Sequence, residues 1–410
     1  MLEGKEGRSV RKAMEILAAL GTIYDADCML PVTSVQIAGV SYDNLGEAGL
    51  QFLTEMADGG GRARVLSTLN PAGMDIENPG SLGIDPGFAA NQRRVIEAFA
   101  RMGAITTCTC TPYLAGNLPG FGESIAWAES SAVCYANSVL GARSNREGGP
   151  SALAAALTGR TPAYGYHLEA ARQPDLSATV DARLQGSADF GALGKVLGEK
   201  LQAAGKRVAY IRGEKPHTLE HAGSLENIKS FCASLATYGG AALFHMEGVT
   251  PEASMMAPPM QSVTTQVAIN QENLERAARE LSDGDPEAAD FVSLGCPHLS
   301  IDEIARIAEL LKGRQVQREF WITTARPTKR LADQLGYSQV IEASGAKFAT
   351  DTCCVVAPIR GRFRTLVTDS AKACYYASSK NRFKTALLPF DAVVELAVTP
   401  PREDYETAGA

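Results

Sequence analysis

The chain has 410 residues, 45% of them apolar, with a net charge of −7 and a sequence pI near 5.5. The length suits two to three domains with sizeable cores, and the acidic balance without any Lys/Arg-rich block argues against nucleic acid as a partner. No apolar run reaches membrane-spanning length, no signal-peptide core opens the chain, and nine cysteines, an odd number, speak for free thiols or metal ligands rather than a secreted disulfide framework. A cytoplasmic protein without a membrane partner is expected.

Val10, Met14, Leu17 and Leu20 recur at helical spacing and predict a helix over 8–20. "SVQIAGVSY" (34–42) and "RARVLSTLN" (62–70) alternate as strands, and "NQRRVIEAFARMG" (91–103) is an amphipathic helix ending at Gly103. "AITTCTCTPY" (104–113) then reads as a strand running into a loop. Residues 124–159 read as helix, loop, helix, with "GARSNREGGP" as the loop, and 170–190 as a polar, irregular change of domain. Beyond it, "GKRVAYIRG", "AALFHMEGV", "ADFVSLGCPH", "REFWITTARPT", "KFATDTCCVV" and "FRTLVTDSAK" each read as a strand entering a polar turn. Strands alternating with helices imply an α/β fold with mostly parallel sheets, whose ligands gather at the C-terminal ends of strands.

That rule singles out cysteines. Cys108 and Cys110 stand one residue apart, a spacing that fits neither a zinc ribbon nor a C-x-x-C redox pair. Cys110 follows a strand, Cys296 follows "DFVSL" and precedes a helix, and Cys353 lies in "TDTCCVVAPI". Three thiolates meeting at strand ends suit an iron–sulfur cluster with one iron left open, or a mononuclear iron. An open iron can bind a substrate hydroxyl as a Lewis acid and help it leave as water. Against this, a free cysteine is more often a small buried hydrophobe, and Cys28, Cys134, Cys232 and Cys374 read that way. Cys108 and Cys354 are alternatives to their neighbours. His298 either orients a ligand or simply opens a helix.

Polar loops supply the other candidates. "TLNPAGMD" offers Asn70 and Asp75, or only a Pro-Gly turn. "GARSNREGG" offers Arg143, Asn145, Arg146 and Glu147, where Arg is the natural bidentate partner of a carboxylate, or only a solvated turn. "TDSAKACYY" places Asp369, Ser370 and Lys372 at a helix start, where anions bind well. Few histidines, five in all, and no H-E-x-x-H motif argue against a zinc hydrolase.

"GVSYDNLGEAGLQFL", "TLNPAGMD", "CTCTPYLAGN", "ESSAVCYANSVLGARSNREGGPSALAAALTGR", "GCPH" and "DTCCVVAPI", in this order, closely resemble aconitase X, a branch of the aconitase superfamily, from about residue 5 to about 400. The resemblance implies an aconitase-like large subunit of several α/β domains: a first region over 1–170 with Cys110 and the Arg loop, and further α/β structure over 171–410 with Cys296 and Cys353. It implies a hydro-lyase whose iron–sulfur centre is held by residues matching Cys110, Cys296 and Cys353. The superfamily adds a smaller swivelling domain with a catalytic serine, fused or separate. This sequence ends at "PPREDYETAGA" without it, so a separate small subunit is the expected partner.

Family members dehydrate cis-3-hydroxy-L-proline to a pyrroline carboxylate or, in archaea, 5-phosphomevalonate. Both are β-hydroxy carboxylates. Arg143, Asn145 and Arg146 are expected to hold the carboxylate, with Asn70, Ser370 and Lys372 nearby. The base is expected from the small subunit's serine, with Asp75 or Glu147 as fallbacks. Charged residues make up 21% of the chain, below an average of about 25% and unlike Lys/Glu-rich hyperthermophile chains. On that ground the hydroxyproline substrate is expected; phosphomevalonate is the alternative and would need a second cationic pocket, for which Lys372, Lys380 and Arg382 are candidates. An inactive metal-binding scaffold or sensor is the reading from another class. The retained cysteines and Arg loop weigh against it.

Overall fold

The structure, a computed structural model, describes residues 1–215, 217–256 and 263–402. Three parallel sheets organise them, each carrying helices packed on its strands. The first sheet orders Leu66–Leu69, Ser34–Ile37 and Ala126–Trp127. Helices Arg8–Ile23, Tyr42–Asp58, Pro86–Arg101 and Gly149–Thr158 enclose it, burying Leu17, Leu50, Val95, Phe99 and Leu153 in one core with Val35. An antiparallel ribbon of Met29–Pro31 and Arg160–Pro162 joins the two ends of this region.

The second sheet orders Phe244–Met246, Ala209–Gly213, Leu176–Asp181 and Gln266–Asn270, all parallel. Its helices Ser187–Ala204 and Leu225–Gly239 cross so closely that only glycine fits at the contact. A Cβ at Gly198 would lie 2.6 Å from the Gly239 nitrogen, and one at Gly194 would lie 2.8 Å from the Phe231 carbonyl oxygen. Asn137 donates to the Ala242 carbonyl (2.9 Å), and Ser138 accepts from Phe244 N–H (2.9 Å), which fixes the first region against this sheet.

The third sheet orders Lys347–Thr350, Glu319–Thr324, Phe291–Leu294, Thr365–Thr368 and Lys384–Leu387. Phe291–Leu294 is buried along its whole length, as a central parallel strand covered on both faces must be. A separate core joins this sheet to the first region: Met74, Leu82 and Ile84 pack with Phe291, Trp321 and Leu366. The fold class expected from the sequence is the one observed.

Three local expectations are corrected. The segment read as helix, loop, helix from residue 124 opens instead with the strand Ala126–Trp127 of the first sheet, and its helix starts at Ser130. Residues 104–113 form no strand. Ile105 makes a single bridge to Thr68, after which Cys108 enters the left-handed region (φ 44°) and Pro112 opens a short turn. A left-handed residue and a proline in one stretch leave no room for a ladder. Residues 176–181, read as irregular, are an inner strand of the second sheet. Ser177 is buried there, so polarity hid the strand from a pattern search. The end of the tail, 403–410, lies outside the described residues. Among the described residues, no helix is long and apolar enough to cross a membrane.

Candidate active site

Three loops bring Cys110, Cys296 and Cys353 to one place. Cys296 follows the strand Phe291–Leu294, and Cys353 follows Lys347–Thr350. The Cys110 loop is pinned to the end of Leu66–Leu69 by Thr109 N–H donating to the Leu69 carbonyl (2.9 Å). Burial pushes the Cys110 thiol up to about 12, and the nearby Glu129 and Cys353 add to it. Burial raises Cys296 as well, with Cys353, Cys354 and Cys110 adding to it and Lys372 opposing. Cys353 is raised by burial and eased back by the Val355 and Val356 N–H groups. The three thiols therefore feel one another directly.

Of their sequence neighbours, Cys108 faces elsewhere, while Cys354 stays close enough to act on Cys296, which packs against the same core. Cys108 is buried in the first core, and its charged neighbours are Asp351 and Arg326. Cys354 packs in the core that holds Phe291 and Trp321. Cys134 and Cys232 touch each other in the second core, and Cys374 is buried with Leu387 and Leu281.

The donor set fits a sulfur-ligated cluster. Sulfur is the ligand such clusters take, and N–H groups aimed at sulfur tune them. Here the His298 N–H donates to Cys110 Sγ at 3.2 Å. Among the described residues, no group of three His, Cys, Asp or Glu side chains could hold a single metal ion.

Glu129 stands beside the thiols and was not singled out from the sequence. It precedes the short helix Ser130–Tyr135, whose Ser131 N–H it caps. Asn70 donates to its Oε2 (2.9 Å), Ser131 Oγ donates to its Oε1 (3.1 Å), and Lys372 forms an ion pair with it. Burial alone would raise this carboxyl. Lys372, Asn70 and the charge of Arg146 more than offset that and hold it at about 2. Lys372 is held charged in turn: burial works against it, but Glu129 and the nearby Cys296 and Cys110 raise it. Thus Asn70 and Lys372 bond one carboxylate next to the cysteines, and the charge of Arg146 acts on it from further off. A glutamate directly after a strand and before "SSAV" is the local signal that marks it.

Other predicted residues are taken up elsewhere. Arg143 donates to Glu169 (2.6 Å) and to the His167 carbonyl. Asn145 bonds the Tyr164 carbonyl and the Tyr166 N–H, both at 2.9 Å. Glu147 is buried under the ribbon, accepting from Thr161, and burial raises its pKa. Asp75 accepts from Glu77 N–H, Asn78 N–H and Arg326 (2.7 Å) on Oδ1 and from Thr350 N–H on Oδ2, so it clamps the first region to the third sheet. Ser370 caps the helix Ala371–Tyr376 through Ala373 N–H. Arg146 alone in its loop is exposed and free of hydrogen bonds among the described residues. His298 is buried with both ring nitrogens bonded, so it has none to offer a metal.

A groove of about 630 Å³ opens nearby, between residues 185–189 and 221–227 of the second region and 302–306 and 389–391 of the third. It shares Ser187, Glu226 and Glu303 with a small chamber that also touches Cys296, Asp369 and Ser370. Asp369 is buried and accepts from Ser187 Oγ (2.6 Å). Burial pushes its carboxyl up to about 6, with the Ser187 bond opposing. The chamber lies where strand C-termini meet helix N-termini, the usual ligand position in parallel α/β sheets.

The chain matches the descriptions "Aconitase X first domain" over 1–170, "second domain" over 174–279 and "third domain" over 289–399. It is 45% identical to the phosphomevalonate dehydratase large subunit of Methanothermobacter thermautotrophicus, over 92% of this chain and 91% of that one. It is 33% identical to the cis-3-hydroxy-L-proline dehydratase of Pseudomonas aeruginosa, over 92% of this chain but 65% of that protein. The crystal structure of Thermococcus kodakaraensis aconitase X in its holo-form superimposes with a TM-score of 0.86 at 40% identity, covering 97% of each chain.

Proposed function

The chain belongs to the aconitase X family, and from that premise we propose that it is the large subunit of a phosphomevalonate dehydratase. It is a hydro-lyase, the activity class in which its named relatives stand. The observation that carries the choice of substrate is the gradient of likeness. Relatives named for phosphomevalonate reach 42–45% identity and are matched over about nine-tenths of their length. One from Aeropyrum pernix stands at 33% but is matched over 97% of its length. Those named for cis-3-hydroxy-L-proline stand at 33%, with about a third of each left unmatched. The expectation of hydroxyproline rested on charge content, which follows growth temperature and says nothing about a binding pocket.

Held by Cys110, Cys296 and Cys353, an iron–sulfur cluster with one open iron would supply Lewis acidity toward the leaving hydroxyl. The chain's own residues supply charge and orientation. Elimination builds negative charge on the substrate carboxylate, so a fixed cation beside it lowers the barrier. Arg146, exposed and unpaired, and Lys372, kept protonated by Glu129, fill that role, with Asn70 holding Glu129 in register. Of the cations considered for the phosphate, Lys372 is paired with Glu129 and Lys380 with Asp43 (3.0 Å), which leaves Arg382 as the exposed one without a bonded partner among the described residues.

The α-proton needs an acceptor. Glu129 at about 2 is too weak a base near neutrality, and Asp75 and Glu147 are taken up away from the thiols. This supports a base, the serine of the family pattern, brought by a small subunit; the relatives' own names, "large subunit", imply such a partner. The test is to reconstitute the chain anaerobically with its small subunit and offer both substrates. Loss of water from 5-phosphomevalonate with cis-3-hydroxy-L-proline untouched is expected. The reverse preference would overturn the assignment.

A further inference from the structure

We propose that His298 is the positioning residue for the three thiols: its single imidazole ties the Cys110, Cys296 and Cys353 loops into one frame. The proposal rests on reading those thiols as cluster ligands, and it stands on a repeated local geometry.

The Cys110 and Cys353 loops are built alike. Each has a non-glycine residue in the left-handed region, Cys108 at φ 44° and Asp351 at φ 66°, then a threonine, then the thiol. Such backbone is costly and persists only where the surroundings over-determine it. His298 sits between the two threonines. Its Nε2 lies 2.9 Å from the Thr352 carbonyl oxygen, and its Nδ1 lies 3.0 Å from Thr109 Oγ1. A carbonyl only accepts, so Nε2 carries the hydrogen and Nδ1 accepts from the Thr109 hydroxyl. Thr109 Oγ1 then accepts from Thr111 N–H (3.1 Å), which keeps its hydrogen for the imidazole.

The histidine's own backbone completes the frame. It stands two residues after Cys296, its N–H donates to Cys110 Sγ, and its carbonyl accepts from Lys229 Nζ at 3.0 Å. Lys229 is paired with Glu303, whose carboxylate also accepts from Ser300 N–H (2.7 Å) at the start of the helix Ile301–Leu311. One side chain and the backbone N–H and carbonyl of the same residue thus reach all three loops and anchor them to a helix. The ring is wholly buried, so no solvent stands ready to replace its bonds.

The test compares His298→Leu, His298→Gln and Thr109→Val with the parent chain. Gln keeps an N–H that can reach the Thr352 carbonyl; Leu keeps neither bond; Val at 109 removes the Nδ1 partner, together with the local bonds of Thr109 to Thr111, and leaves the Nε2 bond in place. Four quantities are read: iron and sulfide per chain after anaerobic reconstitution, the visible spectrum, the melting temperature of the apo chain, and the rate at which iodoacetamide alkylates Cys110 in the apo chain. A folded His298→Leu chain should lose iron affinity by about 10–100-fold, the usual penalty for losing a group that orients a ligand, and its Cys110 should alkylate faster. His298→Gln should recover most of the iron, and Thr109→Val should fall between. Parental iron, spectrum and alkylation rate in His298→Leu would overturn the proposal. If that variant fails to fold, parental values in Thr109→Val overturn it instead. Should the cysteines prove not to be ligands, because Cys110→Ser keeps its iron, the alkylation of the apo chain still reports on the frame by itself.

Discussion

Glu129 and Lys372 form an ion pair across 243 positions of sequence, and the pair lies against the thiols of Cys110 and Cys296. Both partners are nearly enclosed. Their attraction is what permits either charge to remain there, because a buried charge stripped of its partner is strongly unfavourable. The pair therefore places a permanent cation beside three sulfur atoms and one carboxylate beside that cation.

Breaking the pair from one side should be costly. Lys372→Met leaves Glu129 buried and unpaired and should destabilise the chain by about 3–5 kcal/mol. The double variant Lys372→Met/Glu129→Gln should recover much of that loss while still lacking the cation. Urea unfolding of the parent, both single variants and the double variant closes the cycle. Simple additivity would show that the two groups do not interact as described.

Arg146 and Arg143 separate function from architecture within one loop. Arg146→Lys retains charge but loses the planar fork. Turnover of the reconstituted complex should fall by roughly 10²-fold or more, in the range lost with a transition-state charge partner. Because Arg146 has no bonded partner, the melting temperature and iron content should hold. Arg143→Ala breaks the contact with Glu169 and should leave turnover within a few-fold of the parent. Equal losses from both would contradict the distinction.

The cysteine loops were legible in the sequence because local patterns mark them: a short apolar strand, then a polar turn with a cysteine, as in "FVSLGC" and "KFATDTC". Their convergence was not readable from pattern alone, since it depends on how the first region docks on the third sheet through Met74, Leu82 and Ile84. Glu129 was overlooked for the same reason. Its partners come from residues 70, 131, 146 and 372, and no spacing rule connects them. Arg143, Asn145 and Glu147 have the right chemistry but were ranked by residue type. Their neighbours Glu169, Tyr164 and Thr161 are visible only in the fold. The strand Leu176–Asp181 was missed because its burial comes from flanking strands, while its own "LSATVD" carries three polar residues.

The paired cysteines should divide cleanly. Cys353→Ser should lose most of its iron. Cys354→Ala, in an apolar core, should keep iron and a parental visible spectrum at a modest cost in stability. Cys108→Ala should behave like Cys354→Ala. Iron lost from Cys354→Ala but kept in Cys353→Ser would reverse the assignment, and iron analysis with visible spectroscopy decides it.

A buried histidine away from the thiols predicts acid sensitivity. Among the described residues His167 has no hydrogen-bond partner on either ring nitrogen, and burial, then the charges of Arg172 and Arg143, hold its pKa down at about 4. The unfolded chain, with a value near 6.5, takes up a proton that the folded chain refuses. The stability this group provides is complete above about pH 6.5 and is lost as pH falls toward 4, at about 1.4 kcal/mol per pH unit. His167→Phe should flatten the fall in stability between pH 6 and 4.5 by about that slope. Parallel profiles for parent and variant, measured by urea unfolding of the apo chain, would exclude His167 as the source.

The chain on its own should bind its cluster yet turn over negligibly. A general base must reach the α-proton with a free acceptor of suitable strength, and its loss costs about 10²–10⁴-fold. Each carboxylate considered for that task is accounted for. Glu129 is held at about 2 by Lys372, Asn70 and Arg146. Asp75 accepts from three N–H groups and Arg326. Glu147 lies under the ribbon against Thr161. Asp369 stays near the thiols with no ion-pair partner among the described residues, pushed up to about 6 and bonded to Ser187. The reconstituted chain, given 5-phosphomevalonate in deuterated buffer, should therefore neither lose water nor exchange its α-proton at a measurable rate. Adding the small subunit should start both. Exchange by the isolated chain would place a base within it, and its disappearance in Asp369→Asn, with iron retained, would identify that base.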